Sequence, residues 1–404
     1  MNGQWEIFCK VIDNYGDVGV CWRLCCDLAS RGQAVRLWID DAAALAWMAP
    51  EGCPGVEVVT WPAQLPTVRE SLKKPSNCDF YVIIESFGCE IDPEFIANCA
   101  INTRTISINK FSWINLEYIS AEKYAERNHQ LPSPVLTGPA RGLTKHFFYP
   151  GFTARTGGLL REPGLLDRQT RFAAVPWPSW LAFDTVSDQK PSRPYGEQWI
   201  SLFCYEPAGL GSLLAQLAAG PGLTRLLVTH GRAQRAVAGW VSGHTQCQSA
   251  PASVTLGALR ICYLPALTQI QYDELLWVSD FNLVRGEDSL VRALWAGKPF
   301  VWHIYPQDDG AHHAKLEAFL HFLGASDSLV AFHRDWNQQA VDETMPSALP
   351  LPTLDLAEWG AIALQARERL LQQPDLTTQL MQFVASQTIG SATSLAMGSD
   401  IIPP

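Results

Sequence analysis

Two stretches of this chain carry residue types that could do chemistry together. The first is Asp13-Asn-Tyr-Gly-Asp17, directly after the apolar run Trp5–Ile12 and directly before a helical pattern. It sets two carboxylates, Asp13 and Asp17, in a strand-to-helix loop, where one or both could serve as a general base toward an acceptor. They could equally do local work, with Asp17 capping the helix and Asp13 fixing the turn. The second stretch is Arg285-Gly-Glu-Asp-Ser289, between the apolar run Phe281–Val284 and the helical pattern that starts at Leu290. A sharp turn at Gly286 would aim backbone N–H groups and the positive end of a helix dipole at one point, which suits a phosphate. Arg285 adds a fixed positive charge there. Glu287 and Asp288 would repel a diphosphate, so their carboxylates are better aimed at sugar or ribose hydroxyls. Asp288 and Ser289 could also be plain cap residues.

Other residues qualify this picture. Phe203 and Tyr205 alternate with Cys204 at the end of an apolar run, and an aromatic there can stack on a base or hydrogen-bond a phosphate. Core packing suits Phe203 better than Tyr205, whose hydroxyl needs a partner. Asp308-Asp309-x-x-His312-His313 offers two Asp/His pairs at helical spacing, but no further His or Cys cluster supports a metal there. No Asp-x-Asp occurs in the chain, which favours a metal-free site for a diphosphate. The first loop is not G-x-G-x-x-G, and no phosphate-binding P-loop, G-x-S-x-G or His-Glu-x-x-His is present. The Gly-rich stretch Gly151–Glu162 is distinctive, and its chemistry alone assigns it no role.

The elements that must position these residues alternate. Trp5–Ile12, Ala34–Ile39, Val56–Thr60, Phe80–Ile84 and Arg104–Ile108 read as strands. Val18–Ser30 reads as a helix, with Val20, Leu24 and Leu28 on one face. After a Pro- and Trp-rich stretch (Val175–Trp180, Gln189–Pro194) the alternation restarts. Strands are expected at Trp199–Cys204, Arg225–Thr229, Leu259–Tyr263, Phe281–Val284 and Pro299–Trp302. Helices are expected at Gly209–Ala219, Ser289–Ala296 and Ala311–Leu323. Leu354–Ser386 reads as helical with a break near Pro374. This is an α/β chain with two Rossmann-like domains facing across a cleft, residues 1–185 and 195–355, and C-terminal helices in 356–404 that cross back to the first domain. Ligands in such sheets bind beyond the carboxyl ends of the strands. Many nucleotide-sugar glycosyltransferases are built this way.

Composition narrows the function classes. The 404 residues are 47% hydrophobic and 17% charged, which makes a globular chain with ample core. A net charge of −10 argues against direct nucleic-acid binding. No apolar run is long enough for a membrane span and the N-terminus has no signal core, so a cytoplasmic location is expected. The 11 cysteines are odd in number, scattered, and never spaced Cys-x-x-Cys, which suits reduced thiols.

Several segments together resemble one known family. They are Asp13-Asn-Tyr-Gly-Asp17, Gly151-Phe-Thr with Thr156-Gly-Gly-Leu-Leu-Arg-Glu162, Leu202-Phe-Cys-Tyr205, Arg285-Gly-Glu-Asp-Ser289 and Trp302-His-Ile-Tyr-Pro-Gln307. They resemble the EarP family, bacterial protein-arginine rhamnosyltransferases that act on elongation factor P. The resemblance implies an inverting transferase of the GT-B class, with dTDP-β-L-rhamnose as donor, an arginine of elongation factor P as acceptor, and no cofactor. It implies Asp17 as general base, supported by Asp13. It implies that Tyr205, Arg285, Gly286, Glu287, Asp288, Ser289 and Tyr305 hold the nucleotide diphosphate and sugar. Gln269 would match a glutamine that reads thymine; Gln271 competes for that role, because Leu264–Gln269 departs from the family spacing. Asp335–Pro352 diverges, and nothing is carried onto it. Two alternatives stay open: another nucleotide-sugar enzyme on the same scaffold, such as an epimerase or a small-molecule transferase, or a non-catalytic binder of a translation factor.

Overall fold

The structure is a computed structural model that describes residues 2–12, 15–61, 78–105, 110–174, 179–181, 193, 195–244, 253–338 and 351–387. Among the described residues thirteen strands form two sheets. The first holds β1 (Gly3–Cys9), β2 (Ala34–Ile39), β3 (Val56–Thr60), β4 (Phe80–Ser86), β5 (Phe111–Leu116), β6 (Pro132–Pro134) and β7 (Thr144–Phe148) in the order β3-β2-β1-β4-β5-β7-β6. The second holds β8 (Gln198–Leu202), β9 (Thr224–Val228), β10 (Ser253–Leu256), β11 (Leu259–Tyr263), β12 (Phe281–Arg285) and β13 (Phe300–His303) in the order β10-β11-β9-β8-β12-β13. All pairs are parallel except the edge pairs β6–β7 and β10–β11. The central strands β4 and β12 are buried along their whole length, as parallel strands covered on both faces must be.

In each sheet the strand order reverses next to the domain's first strand, between β1 and β4 and between β8 and β12. Ligand crevices form at such reversals, outside the carboxyl ends of the strands. The loop after β1 leads to Asp17, the loop after β8 carries Phe203 and Tyr205, and β12 ends at Arg285. Topology therefore aims both chemical stretches at the cleft.

Some expected elements need correction. Arg104 and Thr105 close the helix Pro93–Thr105 instead of opening a strand, the rest of that expected strand, 106–108, lies outside the described residues, and β5 starts at Phe111. The alternating Thr and Ile residues there imitate a strand pattern, but the preceding helix runs through their start. β1 stops at Cys9, short of Ile12. The helix expected from Ser289 begins at Gly286, so Gly286–Ser289 is itself the first turn. Helices Leu165–Ala174 and Arg232–His244 add to the expected elements.

The helical end of the chain divides at Pro374. Leu356–Leu371 packs Trp359, Ala363, Ala366 and Leu370 into the second domain's core. Leu376–Ser386 instead sends Leu376, Leu380, Phe383 and Val384 into the core of the first domain, beside Trp5, Ile7 and Phe148. Burying a Leu or Phe of this kind stabilises by about 1.5–3 kcal/mol, enough for four such residues to hold the helix to the distant domain. Gly158 makes this crossing possible: at φ +69, a Cβ on it would lie 2.5 Å from the Pro374 carbonyl. Among the described residues no helix is long and apolar enough to cross a membrane, and all ten described cysteines are free.

Candidate active site

Two cavities lie along the cleft and meet at Gly16 and Gly286. The first opens toward the second domain, has about 730 Å³, and is lined by Tyr15, Arg23, Phe203, Gln269, Arg285, Asp288 and Ser289 among others. The other, about 790 Å³, is lined by Asp17, Tyr118, Glu287, Trp302, Tyr305, His312 and Lys315 among others.

Arg285 is the N-cap of the helix Gly286–Ala296, and Gly286 takes φ +67, a conformation that disfavours any side chain. The Trp302 indole N–H donates to the Gly286 carbonyl at 2.9 Å and pins the turn. The Arg285 guanidinium is 3% exposed and sits 4.5 Å from the ring centres of both Phe203 and Tyr205. Its Nη1 has no hydrogen-bond partner. A buried cation with an open N–H at the start of a helix has the chemistry to hold an anion.

The aromatics reverse the sequence expectation. Phe203 lines the first cavity, whereas Tyr205 is buried, edge-on to His303 at 5.1 Å and Tyr305 at 5.6 Å. Tyr205 acts as the second plate that holds Arg285. Tyr305 is 44% exposed and lines the second cavity. Burial, with help from Arg285, pushes the His303 pKa down to about 3, so His303 is neutral and accepts the Tyr205 N–H at 3.3 Å.

Asp17 lies at the second position of the helix Gly16–Ser30, whose N-cap is Tyr15, so it does not cap that helix. It is 3% exposed; its Oδ2 accepts the Ile12 N–H at 2.9 Å and its Oδ1 faces the Tyr118 hydroxyl at 3.4 Å. Tyr118 stacks on Phe87 at 4.5 Å, and Phe87 holds a left-handed φ of +59. A non-glycine residue in that region stores strain and marks this wall of the cavity. Asp13 lies outside the described residues.

The expected sugar-facing carboxylates are already engaged. Glu287 accepts the Ile119 N–H at 2.9 Å and pairs with Lys315. Asp288 pairs with Arg23 of the first domain. Burial raises the Asp288 pKa, opposed by Arg23 and Arg292. Ser289 is buried and lines the first cavity. Gln269 also lines it and donates from Nε2 to the Gly19 carbonyl at 3.0 Å. Gln271 closes a capping box with Thr268, which occupies its side-chain carbonyl.

Sequence reasoning missed the residues that join the domains. Arg23, 5% exposed, contacts Asp288, Asp273 and Glu162 at 3.0, 3.1 and 3.2 Å. Arg292 contacts Glu162 at 2.7 Å and Asp273 at 2.8 Å, and Arg168 pairs with Asp273. Three guanidinium groups thus meet three carboxylates. Burial would raise the Glu162 pKa, but Arg292 and Arg23 more than offset it and hold Glu162 well below the usual carboxylate range. This gives the Gly151–Glu162 stretch its role: it carries Glu162 to the domain boundary. A charged residue inside an apolar helical run, as Arg23 and Arg292 are, was the available signal.

Among the described residues no group of three or more His, Cys, Asp or Glu side chains could hold a metal. Asp309 and His312 instead accept the backbone N–H groups of Ala311 and Gln307.

Comparison with known proteins fits this geometry. The family model described as Elongation-Factor P (EF-P) rhamnosyltransferase EarP matches residues 5–385. The chain belongs to the EarP family. A protein-arginine rhamnosyltransferase of Pseudomonas aeruginosa is 40% identical over 404 residues, covering 95% of this chain and 99% of that protein. One from Neisseria meningitidis serogroup B is 34% identical, covering 78% and 77%. A solved structure described as the structural basis for EarP-mediated arginine glycosylation of translation elongation factor EF-P is 31% identical, with a TM-score of 0.58 and coverage of 95% and 99%. The two Rossmann-like domains and their cleft are therefore the GT-B scaffold of an EarP protein.

Proposed function

We propose that this EarP chain transfers L-rhamnose from dTDP-β-L-rhamnose to an arginine side chain of elongation factor P, with inversion, in the cytoplasm. The observation that carries the reading is the junction at Gly16 and Gly286. There the Arg285 anion site of one domain opens onto the cavity that holds Asp17 of the other. Support for the acceptor and donor comes from the family and its relatives. The diphosphate would sit at the helix start with Arg285, and thymine would extend past Phe203 toward Gln269. Arg285 and the helix dipole supply positive charge to the leaving group, so the reading needs no metal and no cofactor.

A guanidinium has a pKa above about 12 and is a poor nucleophile. Asp17 would accept a hydrogen bond from one guanidinium nitrogen and orient it toward the anomeric carbon. As the C–N bond forms, the bond to the diphosphate oxygen breaks on the opposite face and the nitrogen's proton passes to Asp17. Ile12 N–H and Tyr118 fix that carboxylate beforehand. Asp13 is proposed to assist it. The test is intact-mass analysis of elongation factor P after incubation with the chain and dTDP-β-L-rhamnose. Gain of one deoxyhexose on an arginine is expected; an unmodified acceptor with active donor sinks the reading.

A further inference from the structure

The helix Ala311–Leu323 brings two side chains three residues apart, His312 and Lys315, to the wall of the second cavity. Lys315 is committed to Glu287. His312 is only half committed. Its Nδ1 accepts the Gln307 N–H at 3.0 Å, so the ring proton resides on Nε2. The side chain is 3% exposed, and Nε2 has no hydrogen-bond partner. Leaving a buried donor unpaired costs about 1–3 kcal/mol, so such a group points to a missing acceptor.

The cavity restricts what that acceptor is. Arg285, the cation suited to a diphosphate, lines the other cavity, whereas this one holds Asp17, Glu287 and Tyr305. A neutral N–H in a cavity that two carboxylates also line suits an oxygen that can accept from the ring and donate to a carboxylate at once. A hydroxyl does both; a phosphate oxygen does not.

We infer that His312 is a sugar-binding residue, whose Nε2–H donates a hydrogen bond to a hydroxyl of the transferred deoxyhexose. The inference rests on the proposed transfer from a nucleotide sugar. On that reading, the nucleotide fills the Arg285 cavity and only the sugar enters the cavity of His312. His312 then discriminates the nucleotide sugar from the bare nucleotide.

Calorimetric titration of dTDP and of dTDP-β-L-rhamnose into the unsubstituted chain, His312→Phe and His312→Gln tests this. His312→Phe is expected to bind dTDP within twofold of the unsubstituted chain, which also shows that it has folded. The same variant is expected to bind dTDP-β-L-rhamnose about tenfold more weakly, roughly one hydrogen bond's worth. His312→Gln, with both an acceptor and a donor, is expected to recover most of that loss. Equal losses for both ligands, or no loss for the nucleotide sugar, overturn the assignment of His312 while leaving the transfer reading intact. Failure of the unsubstituted chain to bind either ligand overturns the transfer reading and the assignment together.

Discussion

Arg23 of the first domain and Asp288 of the second are ion-paired at 3.0 Å, Nε to Oδ1, across the domain boundary. One helical turn before Arg23, Gly19 approaches so closely that a Cβ there would stand 3.2 Å from the same carboxylate. Asp17 and Arg23 share one helix, so the pair ties the proposed base to the proposed donor cradle.

Removing Arg23 should therefore be costly. Arg23→Met leaves the buried Asp273 and the half-buried Glu162 and Asp288 facing two guanidinium groups, and losing one partner of a buried network typically costs about 3–5 kcal/mol. Arg23→Lys keeps the charge but not the fork that reaches three acids, so it should fall in between. Urea unfolding of the three proteins measures this. Superimposable curves would mean that the network contributes nothing net.

Asp17→Asn should lower the rate of arginine rhamnosylation by about 10²–10⁴-fold, the usual contribution of a positioned base. The amide keeps the shape and can still accept from Ile12, so dTDP affinity should stay within a few-fold. Single-turnover transfer and calorimetry report the two quantities separately. Near-normal transfer would remove Asp17 from the base role.

Arg285→Ala should weaken dTDP binding by roughly ten- to a hundredfold, as loss of a hydrogen bond to a charged group implies. Arg285→Lys should not restore it fully, because the planar guanidinium stacks between Phe203 and Tyr205 and an ammonium does not. An Arg285→Ala protein with the unsubstituted affinity would show that the open Nη1 is not the phosphate contact.

Stability should fall on mild acidification, in part through His333. This fully buried ring accepts the Trp302 N–H on Nε2 at 3.1 Å and donates from Nδ1 to the Leu329 carbonyl. Burial lowers its pKa from 6.5 to about 4. Between those values the unfolded chain binds the proton first, so its contribution is intact above pH 6.5 and is lost as pH falls toward 4. The stability gap between the unsubstituted chain and His333→Gln should shrink by roughly 2–3 kcal/mol over that window. Denaturation midpoints at stepped pH values check it, and a constant gap would exclude His333 as a source.

How far the sequence could be read depended on the range of the interaction. Arg285-Gly-Glu-Asp-Ser289 was legible because strand end, left-handed turn and helix start are consecutive, and each has a local signature. The Asp17 segment was legible only in part: the helix expected from Val18 starts at Gly16, which puts Asp17 in its first turn and not in the loop before it. The partners of Arg23 lie at 162, 273 and 288, and no local pattern announces a contact between residues so far apart. The exchange of roles between Phe203 and Tyr205 has the same origin, since only the assembled cleft decides which ring faces it. The capping box that engages the Gln271 side chain was hidden as well, since it needs the helix start at Gln269 to be fixed first.

The placement of Leu376–Ser386 has a consequence for how the protein can be made. The lobe that leaves the ribosome first is the last to be completed, because its core waits for Leu376, Leu380, Phe383 and Val384. Until then, the apolar face that receives them stays open. The first lobe is not a continuous piece of the gene, so cutting the chain between the two sheets would produce one fragment missing a wall and another carrying a helix with nowhere to lie.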